Sequence, residues 1–211
     1  MIELVHLSRR RGNVPLRIAR GHFATNHSHI NYYIDITFQK TRVSEAKDSA
    51  KELVAQFIND TPVDTIVCLD GTAVLGSFVA EELNKSGFRT INAHQTVYVV
   101  EPEYNNNSQM IFRDNIQPMI RGKHVLILMA SVTTGHTARK SIEAINYYGG
   151  KVAGIAAIYR ATDDIDGYPV RSIYSVSDLP DYASYDYRDC PYCKAGQKID
   201  ALVNSYGYSE L

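Results

Sequence analysis

The stretch His124-Val125-Leu126-Ile127-Leu128-Met129-Ala130-Ser131-Val132-Thr133-Thr134-Gly135-His136-Thr137 decides the fold. An unbroken apolar run, Val125 to Ala130, passes into a small hydroxyl-rich turn, Ser131 to Thr137. A helix-like segment, Thr137 to Tyr148, follows and is closed by Gly149 and Gly150. An apolar run of this length bounded by a turn suits a strand buried on both faces of a parallel sheet. The turn then stands at the carboxyl end of the strand and at the amino end of the next helix, where free N–H groups and the helix dipole favour an anion. Thr133, Thr134 and Thr137 add hydroxyl donors, and Gly135 lets the backbone come close to a ligand. The pattern reads as a phosphate cradle; the alternative is a strand–turn–helix joint with Thr as an ordinary N-cap.

The same grammar recurs upstream. Val63 to Leu69 is a short apolar strand, Asp70-Gly71-Thr72 a turn, and Thr72 to Ser86 a helix capped by Gly87. No Gly-Lys-Ser/Thr follows, which excludes a Walker A loop, and there is no Gly-x-Gly-x-x-Gly. Val152 to Tyr159 reads as another buried strand, and Ser172 to Val176 as a last one. Ser44 to Asp60 reads as a helix with Ser44 as N-cap and an apolar face through Ala46, Ala50, Leu53, Val54, Phe57 and Ile58. Gln95 to Val100 is a further strand. Glu101 to Asn107 reads as a mobile loop, Asp163 to Gly167 as a solvated acidic turn, and Gln197 to Tyr206 as a helix.

A chain of 211 residues with 45% hydrophobic content fits one α/β domain with elaborations. Its net charge of −1 carries no signature for nucleic acid or anionic membrane. No apolar run approaches the ~20 residues of a membrane helix, and the amino terminus lacks the features of a signal peptide. Three cysteines, an odd number, argue against a disulfide scaffold and for a reducing cytoplasm. Arg9-Arg10-Arg11 reads as a solvated surface loop. Eight of the fifteen tyrosines follow residue 165, which marks the tail as a packing or interface surface.

Ile34, Ile36 and Phe38 alternate in a strand-like way. Before them stand His22, His27 and His29. Two histidines two apart share a strand face, but no acid or cysteine stands beside them at ligand spacing, so structural or substrate-contact roles are preferred. Cys190-Pro191-Tyr192-Cys193 is half a zinc site or a redox pair. The chain has no second such pair, and a turn carrying two reduced thiols is the preferred reading. No metal ligand is assigned.

Strand–turn–helix units with this hydroxyl-rich turn resemble the type I phosphoribosyltransferases, and more narrowly the orotate phosphoribosyltransferases. Gly21-His22-Phe23 with His29 to Asp35 resembles the family's amino-terminal segment over the base, Ile66 to Thr72 its pyrophosphate-loop unit, and Val125 to Thr137 its phosphoribosyl-diphosphate motif. The Cys-Pro-x-Cys tail is similar to that of some members. The resemblance implies a central, mostly parallel sheet flanked by helices, with a hood built from about residues 1–40 and the 178–211 tail, and a core of about 41–177. It implies 5′-phosphate binding by Ser131, Thr133, Thr134, Gly135, His136 and Thr137, diphosphate facing Asp70, Gly71 and Thr72, and a base near Phe23, His29 and Tyr33. It further implies Mg²⁺ carried by substrate phosphates, a phosphoribosyl or nucleotide ligand, and a homodimer.

The departures bear on activity. The family motif has two adjacent acids before its turn, and here those places hold Met129 and Ala130. The family's loop over the diphosphate is rich in Lys and Arg. Here, about Glu101 to Arg113, it holds Glu101, Glu103 and three asparagines, with Arg113 basic. The first reading is an orotate-phosphoribosyltransferase-like protein that transfers phosphoribosyl to a pyrimidine base if active; the alternative is a non-catalytic nucleotide or phosphoribosyl sensor, and an interaction role for the tyrosine-rich tail is the least specific. Restored acids at 129 and 130 are expected to be tolerated at the rim of the site.

Overall fold

The computed structural model describes residues 2–7, 13–57, 59–85, 92 and 96–211. Arg9-Arg10-Arg11, Ile58, the helix end at Ser86 and Gly87, and Gln95 lie outside the described residues. The chain runs β1 (Val5–Leu7), β2 (Leu16–Ala24), β3 (His29–Asp35), α1 (Thr37–Thr41), α2 (Val43–Val54), β4 (Thr65–Cys68), α3 (Ala73–Asn84) and β5 (Tyr98–Val100). It continues β6 (Glu103–Tyr104), β7 (Met110–Ile111), β8 (His124–Val132), α4 (His136–Tyr147), β9 (Lys151–Arg160), β10 (Asp164–Ile165) and β11 (Tyr168–Ser175). The tail adds β12 (Ser184–Tyr185), α5 (Pro191–Lys194), β13 (Ala201–Asn204) and β14 (Gly207–Glu210).

Strand β8 forms the middle of the molecule. Its apolar side chains sort by the two-residue period of a strand. Leu126, Leu128 and Ala130 enter a core shared with Leu53 and Phe57 at α2 and with Leu75, Val79 and Leu83 of α3. Val125, Ile127 and Met129 enter a second core with Ala138, Ile142 and Ile145 of α4. A strand that feeds two cores must be apolar throughout, which is why the run is unbroken. Each fully buried Leu or Ile contributes roughly 1.5–3 kcal/mol. The sheet order is β10-β11-β9-β8-β4-β5, and every pair is parallel except the β10–β11 hairpin. This is the expected α/β sheet, flanked by helices.

The hood is a second sheet, β12-β3-β2-β13-β14 with β1 on β2, drawn from both ends of the chain. Strands β2 and β3 pair antiparallel with a register shift between Arg20 and Phe23.

Three local expectations change. The segment Gln197 to Tyr206 is not a helix. Ala201 to Asn204 alternates buried and exposed, pairs with β2 and folds back as β14. Ala201 and Val203 join Phe23 and Tyr33 in the hood core, and the Asn204 side chain accepts the Tyr206 amide at 2.8 Å to close the turn. Period two over four residues outweighs the weak helical character. The Glu101–Arg113 stretch carries the β6–β7 hairpin, where the Asn105 side chain accepts the amides of Asn107 and Gln109 at 2.9 Å. Finally, α2 starts at Val43, with no side-chain cap from Ser44.

Met129 and Ala130 are 3% and 1% exposed. Both side chains pack into the cores on opposite faces of β8 and at the same time line the cavity at the carboxyl end of the strand, so the expected rim position holds but leaves little free volume for an added acid. Ala130→Asp places a carboxylate among Leu128, Tyr159 and the α3 side chains. We expect it to cost roughly 3 kcal/mol or more, read as a lowered urea midpoint, whereas Met129→Leu, which conserves volume, costs under about 1.5 kcal/mol.

Candidate functional site

The carboxyl ends of β4 and β8 open onto a cavity of about 270 Å³ beneath the hood. Its floor is the turn after β8. Ser131, Thr133, Thr134, His136 and Thr137 line it. Gly135 is the N-cap of α4 with φ +78°, a left-handed conformation suited to glycine. A Cβ there would also run into Ile165 Cδ1. Among the described residues, the backbone N–H groups of 133 to 137 are engaged by no carbonyl. The turn therefore presents unpaired donors at the positive end of a 12-residue helix, open to the cavity.

The second loop is built differently. Asp70 and Gly71 both take positive φ, 57° and 72°. This double left-handed turn carries Asp70 into the cavity. Thr72 is fully buried, and its hydroxyl donates to the carbonyls of Leu69 at 2.7 Å and Leu128 at 3.2 Å, so it ties the turn to β8. Burial raises the Asp70 carboxyl above the usual range, an effect opposed by the Ala130 amide, the Lys40 ammonium and the Ser205 side chain.

Of the residues singled out for the base, Tyr33 lines the cavity. Its hydroxyl, 3.5 Å from Asp35, is raised in pKa chiefly by burial. Phe23 lies in the hood core at 1% exposure. His29 turns toward His22 and Cys193.

Three residues that the sequence did not flag matter more. Lys40 is the one Lys or Arg among the described residues lining the cavity. Its ammonium donates to the Asp70 carbonyl at 2.9 Å and to the Ser205 carbonyl of the tail, and burial lowers its pKa. Tyr159 and Tyr182 also line the cavity, with rings 5.5 Å apart and buried hydroxyls that have no hydrogen-bond partner among the described residues. Burial raises both phenols, Tyr182 to about 12. Unpartnered buried hydroxyls are uncommon, and both rings belong to the core that backs the cavity. Lys40 sits on the short helix after the hood, so nothing in its local sequence pointed to the site. Tyr159 reads as one more apolar position of a strand.

Above the cavity, His27 of the β2–β3 turn faces His136 with ring centroids 6.0 Å apart. The tail turn contributes Asn204, Ser205 and Gly207 to the roof. Among the described residues, the β6–β7 hairpin contributes none to the cavity lining, and its Tyr104 is 53% exposed. Arg113, the basic residue of that stretch, is spent on Glu103, with Nε and Nη2 at 2.9 and 2.7 Å from one carboxylate oxygen.

An open, mostly parallel sheet, with a turn of unpaired amides at the end of its central strand and a hood above it, defines an α/β protein with a ligand-sized cavity at the carboxyl ends of its strands. The chain belongs to the phosphoribosyl transferase domain family, whose model matches residues 36–180. It is 28% identical over 180 residues to an orotate phosphoribosyltransferase of Pelotomaculum thermopropionicum, an alignment covering 83% of this chain and 85% of that one. It is 32% identical over 156 residues to an adenine phosphoribosyltransferase of Caldicellulosiruptor saccharolyticus, covering 67% and 85%. The crystal structure of orotate phosphoribosyltransferase from Aeropyrum pernix superposes with a TM-score of 0.53 at 17% identity, covering 77% of this chain and 90% of that one, a likeness of fold.

The raised Asp70 pKa gives a signed expectation. The folded state holds that proton more tightly than the unfolded chain, so unfolding releases it at pH values between the two pKa values. Wild-type stability therefore falls as pH rises through that window. Asp70→Asn removes this dependence. The variant should be more stable than wild type at neutral pH, with the difference closing as pH drops toward about 4, the ordinary range of an aspartate. Urea unfolding across pH 4 to 8 reads this directly.

Proposed function

We propose that the cavity binds the 5′-phosphate of a nucleotide or of phosphoribosyl diphosphate. The observation that carries this is the set of unpaired amides at 133 to 137, opening onto the cavity at the start of α4. Ser131, Thr133, Thr134 and Thr137 add hydroxyl donors, and His136 stands over the same end. The ribose then points toward Asp70 and Lys40, and the base toward the aromatic wall of Tyr33, Tyr159 and Tyr182.

A specific set of features favours binding without efficient transfer. Phosphoribosyl transfer develops positive charge on the sugar and negative charge on the departing diphosphate. Met129 and Ala130 offer nothing to the first. The Glu103–Arg113 pair leaves the hairpin without a free cation for the second. Asp70 is the one carboxylate among the described residues lining the cavity, so the residues do not fit a protein-held Mg²⁺, and any such ion would arrive on the ligand's phosphates and water. The reading is thus a nucleotide or phosphoribosyl sensor on a transferase scaffold; transfer to a pyrimidine base is the alternative. Orotate and adenine phosphoribosyltransferases among the relatives leave the base itself open.

Isothermal titration with ribose 5-phosphate, uridine and adenosine monophosphates and phosphoribosyl diphosphate tests the binding. We expect saturable binding of at least one, weakened about tenfold or more in Gly135→Ala, whose Cβ meets Ile165 and whose left-handed backbone is strained, so that the turn and its amides shift. No heat with any of them overturns the reading. With orotate or adenine, phosphoribosyl diphosphate and Mg²⁺, turnover should fall at least ~10²-fold below that of a transferase with its charge-stabilising groups intact. Full turnover would select the transferase alternative.

A further inference from the structure

Away from the cavity, four side chains that are far apart in sequence converge. His22 and His29 come from the β2–β3 hairpin, Cys190 and Cys193 from the start of α5. Their ligand atoms all lie within 4.8 Å of one another. His22 Nε2 is 3.0 Å from His29 Nδ1, 3.5 Å from Cys190 Sγ and 3.7 Å from Cys193 Sγ, and Cys193 Sγ is 3.3 Å from His29 Nδ1. A tetrahedral ion with bonds of ~2.0 Å to nitrogen and ~2.3 Å to sulfur separates its ligand atoms by about 3.3–3.8 Å. The observed spacings fall close to that range.

Hydrogen bonding alone does not account for the cluster. His22 Nδ1 faces two carbonyl oxygens, of Gln197 at 3.1 Å and Lys198 at 3.2 Å. Both are acceptors, so Nδ1 carries the proton, and Nε2 of the neutral ring presents one lone pair. Three groups crowd that lone pair, which can accept a hydrogen from only one of them. A cation resolves the crowding, because each of the four atoms then contributes its own lone pair. The Nδ1–H to carbonyl bonds are the outer contacts that orient a metal-bound histidine.

The surroundings are built for this geometry. The register shift between Arg20 and Phe23 turns His22 inward. Its backbone is clamped to the tail, its N–H donating to Asp200 Oδ2 at 2.7 Å and its C=O accepting the Asp200 amide at 2.8 Å. The Tyr192 ring stacks on His22 at 5.3 Å. His22 and Cys190 are fully buried. All four residues lie outside the span matched by the family model.

We propose that His22, His29, Cys190 and Cys193 form a closed Cys₂His₂ zinc site that rivets the tail to the hood. Mixed nitrogen and thiolate donors in a tetrahedral set suit Zn²⁺. All four positions are filled by protein, so the site is structural. Its consequence is positional: the segment it anchors leads directly into β13 and the Asn204–Gly207 turn that roofs the cavity.

Metal content of the full chain, purified without chelator, tests this without reference to any cavity ligand. We expect about one zinc per chain by plasma mass spectrometry. Cobalt exchanged into the site should show thiolate charge-transfer bands and the intense visible bands of tetrahedral coordination. Cys190→Ser and His29→Asn should each lose the metal, while Cys68→Ala, at the distant third thiol, keeps it. Should a variant fail to fold, the wild-type stoichiometry and cobalt spectrum still decide. A wild-type protein that takes up neither ion from micromolar solution, with Cys190 and Cys193 freely titratable or joined as a disulfide, overturns the proposal.

Discussion

The structure depends on how strand β8 satisfies its backbone and then stops doing so. Its peptide groups are paired with β9 from His124 to Val132 and with β4 from Val125 to Leu128. One residue later the ladder ends, the chain turns through Gly135, and α4 begins before any amide of the turn finds a carbonyl. A buried segment cannot leave such donors idle without cost. The cavity allows it here because it keeps the donors open to solvent or ligand. The apolar run and the polar turn are thus one device. The run fixes the strand between two cores, and that fixation holds the turn's free amides in place.

The second loop uses the same logic with a different currency of contacts. Two consecutive positive φ angles at Asp70 and Gly71 swing a carboxylate over the end of β4, and the buried Thr72 hydroxyl staples that turn to the neighbouring strand. Lys40 then reaches from the hood side to the Asp70 carbonyl and to the tail. One ammonium therefore links hood, core and tail at the point where a ligand would sit, and it shares the cavity with a carboxylate that burial pushes toward neutrality.

What was legible in the sequence follows from range. The sheet could be read because the run from Val125 to Ala130 carries its own statement of two-sided burial, and the turn into α4 because Gly135 reports local backbone geometry. The helix proposed for Gln197 to Tyr206 failed because Ala201 to Asn204 takes its conformation from β2, about 180 residues upstream. Tyr159 and Tyr182 could not be told from ordinary core tyrosines, since a hydroxyl without a partner is a property of the packed state. The histidine and cysteine cluster was hidden for the same reason. Two half-sets were visible, separately, and only the pairing of hood and tail brings them together.

The replacement of an acid pair by Met129 and Ala130 is more than a loss of charge. In this chain those side chains complete the two cores on opposite faces of β8, so the strand gains packing at the place where a transferase keeps polar groups exposed. The hairpin from Glu103 to Ile111 shows the same trend, as its one guanidinium is neutralised internally by Glu103. On the function proposed above, both changes remove groups that would stabilise charge developing in a reaction, and neither touches the unpaired amides of the turn after β8. Ground-state recognition and transition-state stabilisation would then reside in different atoms, so the second can be given up while the first is kept.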